Sequence, residues 1–346
     1  MDKLLKWLPQ FKILHQKVFF LGEVDMTISV SSETEALVKE KDIFSTEQLG
    51  KAENKSTILK LLNAGVIVPF EGCLPRESSE SQEKILVIQP HCDDFALSCG
   101  GTLAKQCIAD KRKIIFVTVF SKYSSQSFPW KDKIHLNDDE YSKLRRQEDT
   151  IAADYLRGST HTLEYRDSIA RGAGLSVILR EGILKKDNEM IEAITEDLGA
   201  LVKEYKPQMI VLPAAFGWHY DHRITLTAAL RSLKKWTGYK NVYLYEDYPY
   251  CDQNRHNYWG RLKELKKEFD MKPVYTDIKS YIKTKAYLIN FYRTQFIDWN
   301  LKGINKSITE LAEATAIEAM YLKHGIDNQI TMAERIWEIS FGGGQL

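Results

Sequence analysis

The chain has 346 residues, 44% of them hydrophobic, enough to bury a full core and to build one large domain with a smaller one beside it. Its 48 basic and 47 acidic residues balance without any basic tract, which argues against a nucleic-acid groove or a polybasic membrane anchor and leaves a small molecule as the expected partner, with homo-oligomerisation open. No apolar run reaches membrane-spanning length, the N-terminal MDKLLKWLPQFKILHQKVFFLGE lacks a signal-type apolar core, and five cysteines without a CxxC pair suggest neither a disulfide framework nor a thiolate zinc site, so a reducing cytoplasm is the expected setting.

In chain order, Ser45 to Phe70 (STEQLGKAENKSTILKLLNAGVIVPF) is predicted to form two short helices, with Ile58, Leu59, Leu61 and Leu62 as an apolar face, and then a short strand after Gly65. The pattern is that of a helix-turn-helix with a wing, and it resembles the PqqD-like peptide-docking modules. Residues 1–80 carry 10 basic and 12 acidic side chains, the wrong sign for phosphate contacts, so a packing or docking appendage is expected rather than a DNA reader. The Ser/Glu-rich LPRESSESQE, 74–83, has the composition of a linker. A boundary there divides the chain into a small winged-helix-like module, 1–80, and a larger domain, 81–346.

From Lys84 onward short apolar runs alternate with amphipathic helical patterns: KILVIQ, GGTLAKQCIAD, KIIFVTVF, DEYSKLRRQEDTIAADYL, HTLEY, NEMIEAITEDLGALVKEY, PQMIVLP and DHRITLTAALRSLKKW. Strand and helix in turn predict an α/β fold, a Rossmann-like, mostly parallel sheet with helices on both faces. Ligands of such sheets sit at the carboxyl ends of the strands. Two of those ends carry ligand-type side chains: His91, Asp93 and Asp94 after KILVIQ, and His219, Asp221 and His222 after MIVLP. Facing each other across one crevice, the two clusters supply enough imidazole and carboxylate donors for a divalent metal, and three mixed ligands with an open position describe a catalytic zinc site. The run NVYLYEDYPYCDQNRHNYW reads as a strand and then a tyrosine-rich loop, either lining a substrate cleft or merely exposed.

At PHCDDFALSCGGT and HYDH the sequence resembles the LmbE-like, or PIG-L-like, zinc-dependent N-deacetylases, whose signature is a strand followed by (A/P)HPDDE and later HxDH. The resemblance extends to LRRQEDTIAADYL, to YRDS, and to KAYLINFYRTQ and AERIW, which look like the family's C-terminal helices. It implies zinc held by His91, Asp94 and His222, with Asp93 as the base. It also implies that His219 stabilises the oxyanion or protonates the leaving amine with Asp221 fixing its tautomer, and that Arg145 and Asp167 contact substrate hydroxyls. Read from the residues alone, Arg145 and Glu148, three apart on a helix, are also an ordinary solvated ion pair.

Two positions depart from the signature. Cys92 stands for the usual proline, so the loop after His91 is expected to be less rigid, and Phe95 stands for the usual glutamate, so an apolar wall beside the metal is expected. The expected activity is removal of an N-acyl group, N-acetyl foremost, from a small amino-sugar-bearing molecule. Its rivals are an amidase acting on a thiol S-conjugate and a non-catalytic ligand-sensing protein.

Overall fold

Successive residues of a strand face opposite sides of a sheet, and the strand Lys84–Gln89 divides in that way: Ile85 and Val87 enter one apolar cluster, Leu86 and Ile88 the other. The computed structural model describes residues 4–8, 10–20, 24–63, 66–69, 83–129, 131–132, 134–174, 183–235, 239–253, 255–295, 317–318 and 332–341. Within these, the central sheet consists of β7 (Lys84–Gln89), β8 (Lys113–Lys122), β9 (Ser159–Arg166), β10 (Met209–Pro213), β11 (Asn241–Tyr245), β12 (Phe269–Asp277), β13 (Ile317–Glu318) and β14 (Met332–Phe341). The order is β12-β14-β11-β10-β7-β8-β9, with β13 beside β14. The run from β11 to β9 is parallel, and β14 pairs antiparallel with both β11 and β12.

One face is covered by α4 (Asp94–Ile108), α5 (Asp138–Tyr155) and α10 (Ile282–Phe291). The other is covered by α6 (Asn188–Tyr205), α7 (Tyr220–Lys235) and α9 (Arg255–Glu268), and a short α8 (Tyr250–Gln253) follows β11. The expected mostly parallel sheet with helices on both faces is present. The chain order of the parallel strands reverses between β7 and β10, which opens a crevice at their carboxyl ends.

The segment AERIW is a strand and not a helix. Its apolar residues Ala333, Ile336 and Trp337 suit a helical face by spacing, but β14 fills the slot between β11 and β12. There Glu334 is buried against Lys285 Nζ at 2.7 Å, and it accepts the N–H groups of Gly101 at 3.1 Å and Thr102 at 2.7 Å. Those two amides lie just past Cys99, where α4 kinks, so Glu334 serves as the cap of its second half.

Upstream lie β1 (Leu4–Trp7), β2 (Phe11–Leu14), β3 (Lys17–Phe20), β4 (Val24–Ser29), α1 (Ser32–Glu40), β5 (Ile43–Ser45), α2 (Thr46–Ala52), α3 (Lys55–Asn63) and β6 (Ile67–Pro69). The two expected short helices are α2, opened by a Ser45/Gln48 capping box, and α3; the expected strand is β6. They accompany two three-stranded sheets, β5-β1-β6 and β2-β3-β4. Leu61 of the expected apolar face is buried, whereas Leu59 is 49% exposed. The apolar side chains of Leu5, Trp7, Leu8 and Phe11 join the same buried cluster as Phe95, Tyr141 and Leu288. Residues 74–82 of the expected linker lie outside the described residues.

Candidate active site

His91 follows β7 by two residues, Asp93 and Asp94 open α4, and His219, Asp221 and His222 lie at the start of α7 after β10. The crevice at the strand reversal therefore gathers both clusters. Asp94 stands between two imidazoles: its Oδ2 lies 3.5 Å from His91 Nδ1 and its Oδ1 lies 3.3 Å from His222 Nε2. Asp94 Oδ2 also accepts the His91 N–H at 2.7 Å, which pins the loop. Cys92 does not loosen that loop, because its N–H donates to Tyr123 Oη at 3.1 Å.

The outward nitrogen of each imidazole meets a second carboxylate. His91 Nε2 bonds Asp221 Oδ2 at 3.0 Å, and His222 Nδ1 bonds Asp247 Oδ1 at 2.5 Å. Each carboxylate fixes a tautomer and turns the other nitrogen toward Asp94. The assignment of Asp221 to His219 is thereby corrected: Asp221 holds His91, and it also accepts Ser168 N–H at 2.8 Å and Arg171 Nη2 at 2.7 Å. His219 sits beside the pair, its ring 5.0 Å from that of His91 and 4.9 Å from that of His222.

Burial alone would strip the protons from His91 and His222, yet the facing carboxylates win and push the two up to about 9 and about 10. Asp94 and Asp221, despite burial, are held well below the ordinary carboxylate range by their imidazole partners. Burial, reinforced by His222 and His91, pushes His219 well below the usual imidazole value. The centre thus draws positive charge into a buried anionic cage. A divalent cation fits that demand, and the donor set agrees: one ligand atom each from His91, His219 and His222 falls within 4.8 Å of the others, with Asp94 between two of them. Among the described residues His222 Nε2 is buried without a hydrogen-bond partner, as a nitrogen awaiting a metal would be, and His219 Nδ1 beside it is also unpartnered.

Arg145, on α5, does not pair with Glu148. Its Nη2 bonds Asp93 Oδ1 at 2.9 Å and its guanidinium lies 4.0 Å over the Tyr123 ring, while its Nε has no hydrogen-bond partner among the described residues. Asp167 is buried after β9, where its Oδ1 accepts Ala170 N–H at 2.7 Å, and burial raises its carboxyl. Phe95 is not a wall of the site. Fully buried, its ring packs 4.2 Å from that of Phe116 and 6.3 Å from that of Tyr292, under the sheet. A glutamate there would bury a charge among aromatic rings, so Phe95→Glu would report unfolding rather than chemistry.

Sequence reasoning missed Asp247, Arg171, Tyr123 and Tyr250. The signal for Asp247 was present: Glu-Asp follows an apolar strand as directly as His91 does. The tyrosine-rich run does reach the site, since the Tyr250 ring lies 4.9 Å from His219 and 5.2 Å from His222. The loop before α7 holds Ala215 and Trp218 at positive φ (58° and 64°), a strained path kept by the Phe216 N–H bond to Asp247 Oδ2 at 3.1 Å. Gly217 admits Tyr250, because a Cβ added there would stand 1.9 Å from Tyr250 Cβ.

Behind the site, Glu148 and Asp149 of α5 are buried and each is pushed up to about 7, chiefly by burial. A carboxyl raised from 4.5 holds its proton in the folded chain after the unfolded chain has lost it. Its contribution to stability is therefore full below about 4.5, falls as pH rises to about 7, and stays low above. Glu148→Gln is expected to flatten the fall in unfolding free energy between pH 5 and 7.5, by up to about 3 kcal/mol. Denaturant melts across that range check it; an unchanged slope refutes the burial argument.

Fold and site together define a Rossmann-like α/β domain with a histidine–aspartate metal-type centre at its switch point. Residues 86–233 match the family model of PIG-L, GlcNAc-PI de-N-acetylase, so this segment is similar to the PIG-L, or LmbE-like, family. Over 173 residues it is 29% identical to 2'-N-acetylparomamine deacetylase of Streptomyces fradiae, covering 49% of this chain and 58% of that protein. The chain thus spans 58% of the length of that curated relative. A deacetylase of teicoplanin biosynthesis, in complex with bog, superposes with a TM-score of 0.59 at 25% identity over 75% of this chain and 99% of its own. The zinc-inhibited form of teicoplanin deacetylase Orf2 gives 0.58 at 25% identity, with the same coverage.

Proposed function

We propose that the chain is a zinc-dependent hydrolase that removes an N-acetyl group from a small amino-sugar-bearing molecule. The observation that carries this reading is the convergence of His91, Asp94 and His222 with Asp93, a carboxylate turned to Arg145 instead of to the imidazoles. The relatives named for N-acetylparomamine and teicoplanin support the substrate class. In this reading His91, Asp94 and His222 hold the ion, and His219 is its neighbour. The ion, when bound, supplies Lewis-acid polarisation of the acyl carbonyl and acidifies the attacking water toward a pKa of about 7.

Asp93 takes the proton of that water and returns it to the leaving amine, while Arg145 holds Oδ1 and so aims the carboxylate. His219, kept neutral by burial, offers a ring N–H to the developing oxyanion. In this reading Arg145 and Asp167 contact substrate hydroxyls. The N-terminal module, 1–80 with a winged-helix-like segment, is a docking or packing unit on the catalytic domain, 81–346, and the protein works in the cytoplasm.

Full-length protein should release acetate from N-acetylated amino sugars and not from thiol S-conjugates, lose the activity to a chelator and regain it with zinc. Hydrolysis of S-conjugates alone, or full activity after complete demetallation, would overturn the reading. Asp247→Ala should weaken zinc affinity by about 10- to 100-fold, measured by competition with a chromophoric chelator, because His222 loses the group that orients it. An affinity equal to wild type would remove Asp247 from the site.

A further inference from the structure

The side chain of Gln10, in the turn between β1 and β2, is 1% exposed although it is polar and belongs to the N-terminal module. That turn is pinned from within: Trp7 Nε1 donates to Phe11 O at 2.8 Å, Phe11 N–H to Leu8 O at 3.0 Å, and Leu8 N–H to Val66 O at 2.9 Å. From it Gln10 Nε2 reaches Glu148 Oε1 at 3.1 Å and, less closely, Phe291 O at 3.4 Å. Glu148 also accepts the Thr294 N–H at 2.8 Å and the Thr294 hydroxyl at 2.5 Å. Three segments distant in sequence, the module's turn, α5 and the end of α10, therefore meet on one buried carboxylate.

The residues on either side of Glu148 along α5 work on the active site. Arg145, one turn earlier, holds Asp93. Asp149, the next residue, accepts Gln89 Nε2 at 3.0 and 3.2 Å, Thr118 Oγ1 at 2.6 Å and Tyr292 Oη at 3.0 Å. Gln89 ends β7 two residues before His91, and its Oε1 accepts the Phe95 N–H at 3.3 Å. The stretch 145–149 thus ties the base on one side and the strand leading to His91 on the other, and the tie that Gln10 makes falls between them.

We propose that Gln10 is a positioning residue: the N-terminal module sets the rotation and depth of α5 through Glu148, and thereby the placement of Arg145 and Asp93. The inference rests on the reading of Asp93 as the base. The backbone at Glu148, three residues along the helix from Arg145, cannot shift without carrying its neighbours, because the backbone hydrogen-bond ladder makes α5 move as a rod. A small misplacement of a catalytic group lowers turnover far more than it lowers substrate affinity.

The test compares Gln10→Met, which keeps length and volume but has no donor, with Leu49→Ala, which hollows the module's core away from α5. Both are made in the full chain, and read at temperatures where each is the same distance below its midpoint. Gln10→Met is expected to lower kcat about tenfold with KM little changed. It should also speed amide exchange in peptides spanning 141–153, while exchange in the module's own β1 and α2 stays at the wild-type level. Leu49→Ala should speed exchange in the module and leave 141–153 as in wild type. If the two variants act alike on 141–153, or if Gln10→Met changes neither exchange there nor kcat, the positioning role is overturned. Should the wild type hydrolyse no amide at all, the proposed activity falls, and the exchange comparison still decides whether the module positions α5.

Discussion

On the proposed reading, Asp93→Asn is expected to lower kcat/KM by about 10²- to 10⁴-fold while the protein still binds added zinc. Asparagine has nearly the shape of aspartate but cannot take a proton from water, so the loss isolates the proton-transfer step. Metal retention follows from geometry: Asp93 faces Arg145 at 2.9 Å, whereas the contacts to His91 and His222 come from Asp94. The same change deprives a buried guanidinium of its anion, which costs stability, so the variant is assayed well below its melting temperature. Metal analysis beside single-turnover kinetics separates the two effects. Hydrolysis near the wild-type rate would show that another group is the base. Loss of zinc together with activity would move Asp93 into the ligand set.

His222→Ala is expected to abolish both zinc binding and turnover, the only one of these substitutions to remove both. His222 is fully buried, and its ring joins Asp94 on one side to Asp247 on the other. Removing it leaves two carboxylates facing a void, a change of the kind that costs about 3–5 kcal/mol when a buried pair loses one member. Because such a variant can fail to fold, His222→Gln serves as the companion: it fills the space but offers a poorer ligand. Zinc should raise the melting temperature of the wild type through preferential binding to the folded state and leave that of both variants unmoved. A zinc-dependent rise in either one would place His222 outside the metal site.

Much of the architecture was legible because it repeats. Short apolar strands alternating with amphipathic helices require a parallel sheet with two covered faces, and that sheet brings β7 and β10 together at the reversal, so His91, Asp93, Asp94, His219, Asp221 and His222 meet wherever the loops are short. What spacing did not reveal was direction. Arg145 has a carboxylate three residues along its own helix, yet α5 turns it to Asp93 and gives Glu148 to Gln10 and Thr294. Asp221 was matched to the histidine two residues before it, but the first turn of α7 aims it at His91, 130 positions away in the sequence. Phe95 follows Asp94 directly and still points into the core, because neighbouring residues at the start of a helix lie on different faces. AERIW fits either period, and only the open edge between β11 and β12 made it a strand. The sequence by itself determined which elements form and which chemical groups stand at the strand ends, since both follow from local pattern. The tertiary structure decided which of those groups touch, because a hydrogen bond is set by the face an element turns and by the neighbour it packs against, and neither is written in the spacing of one segment.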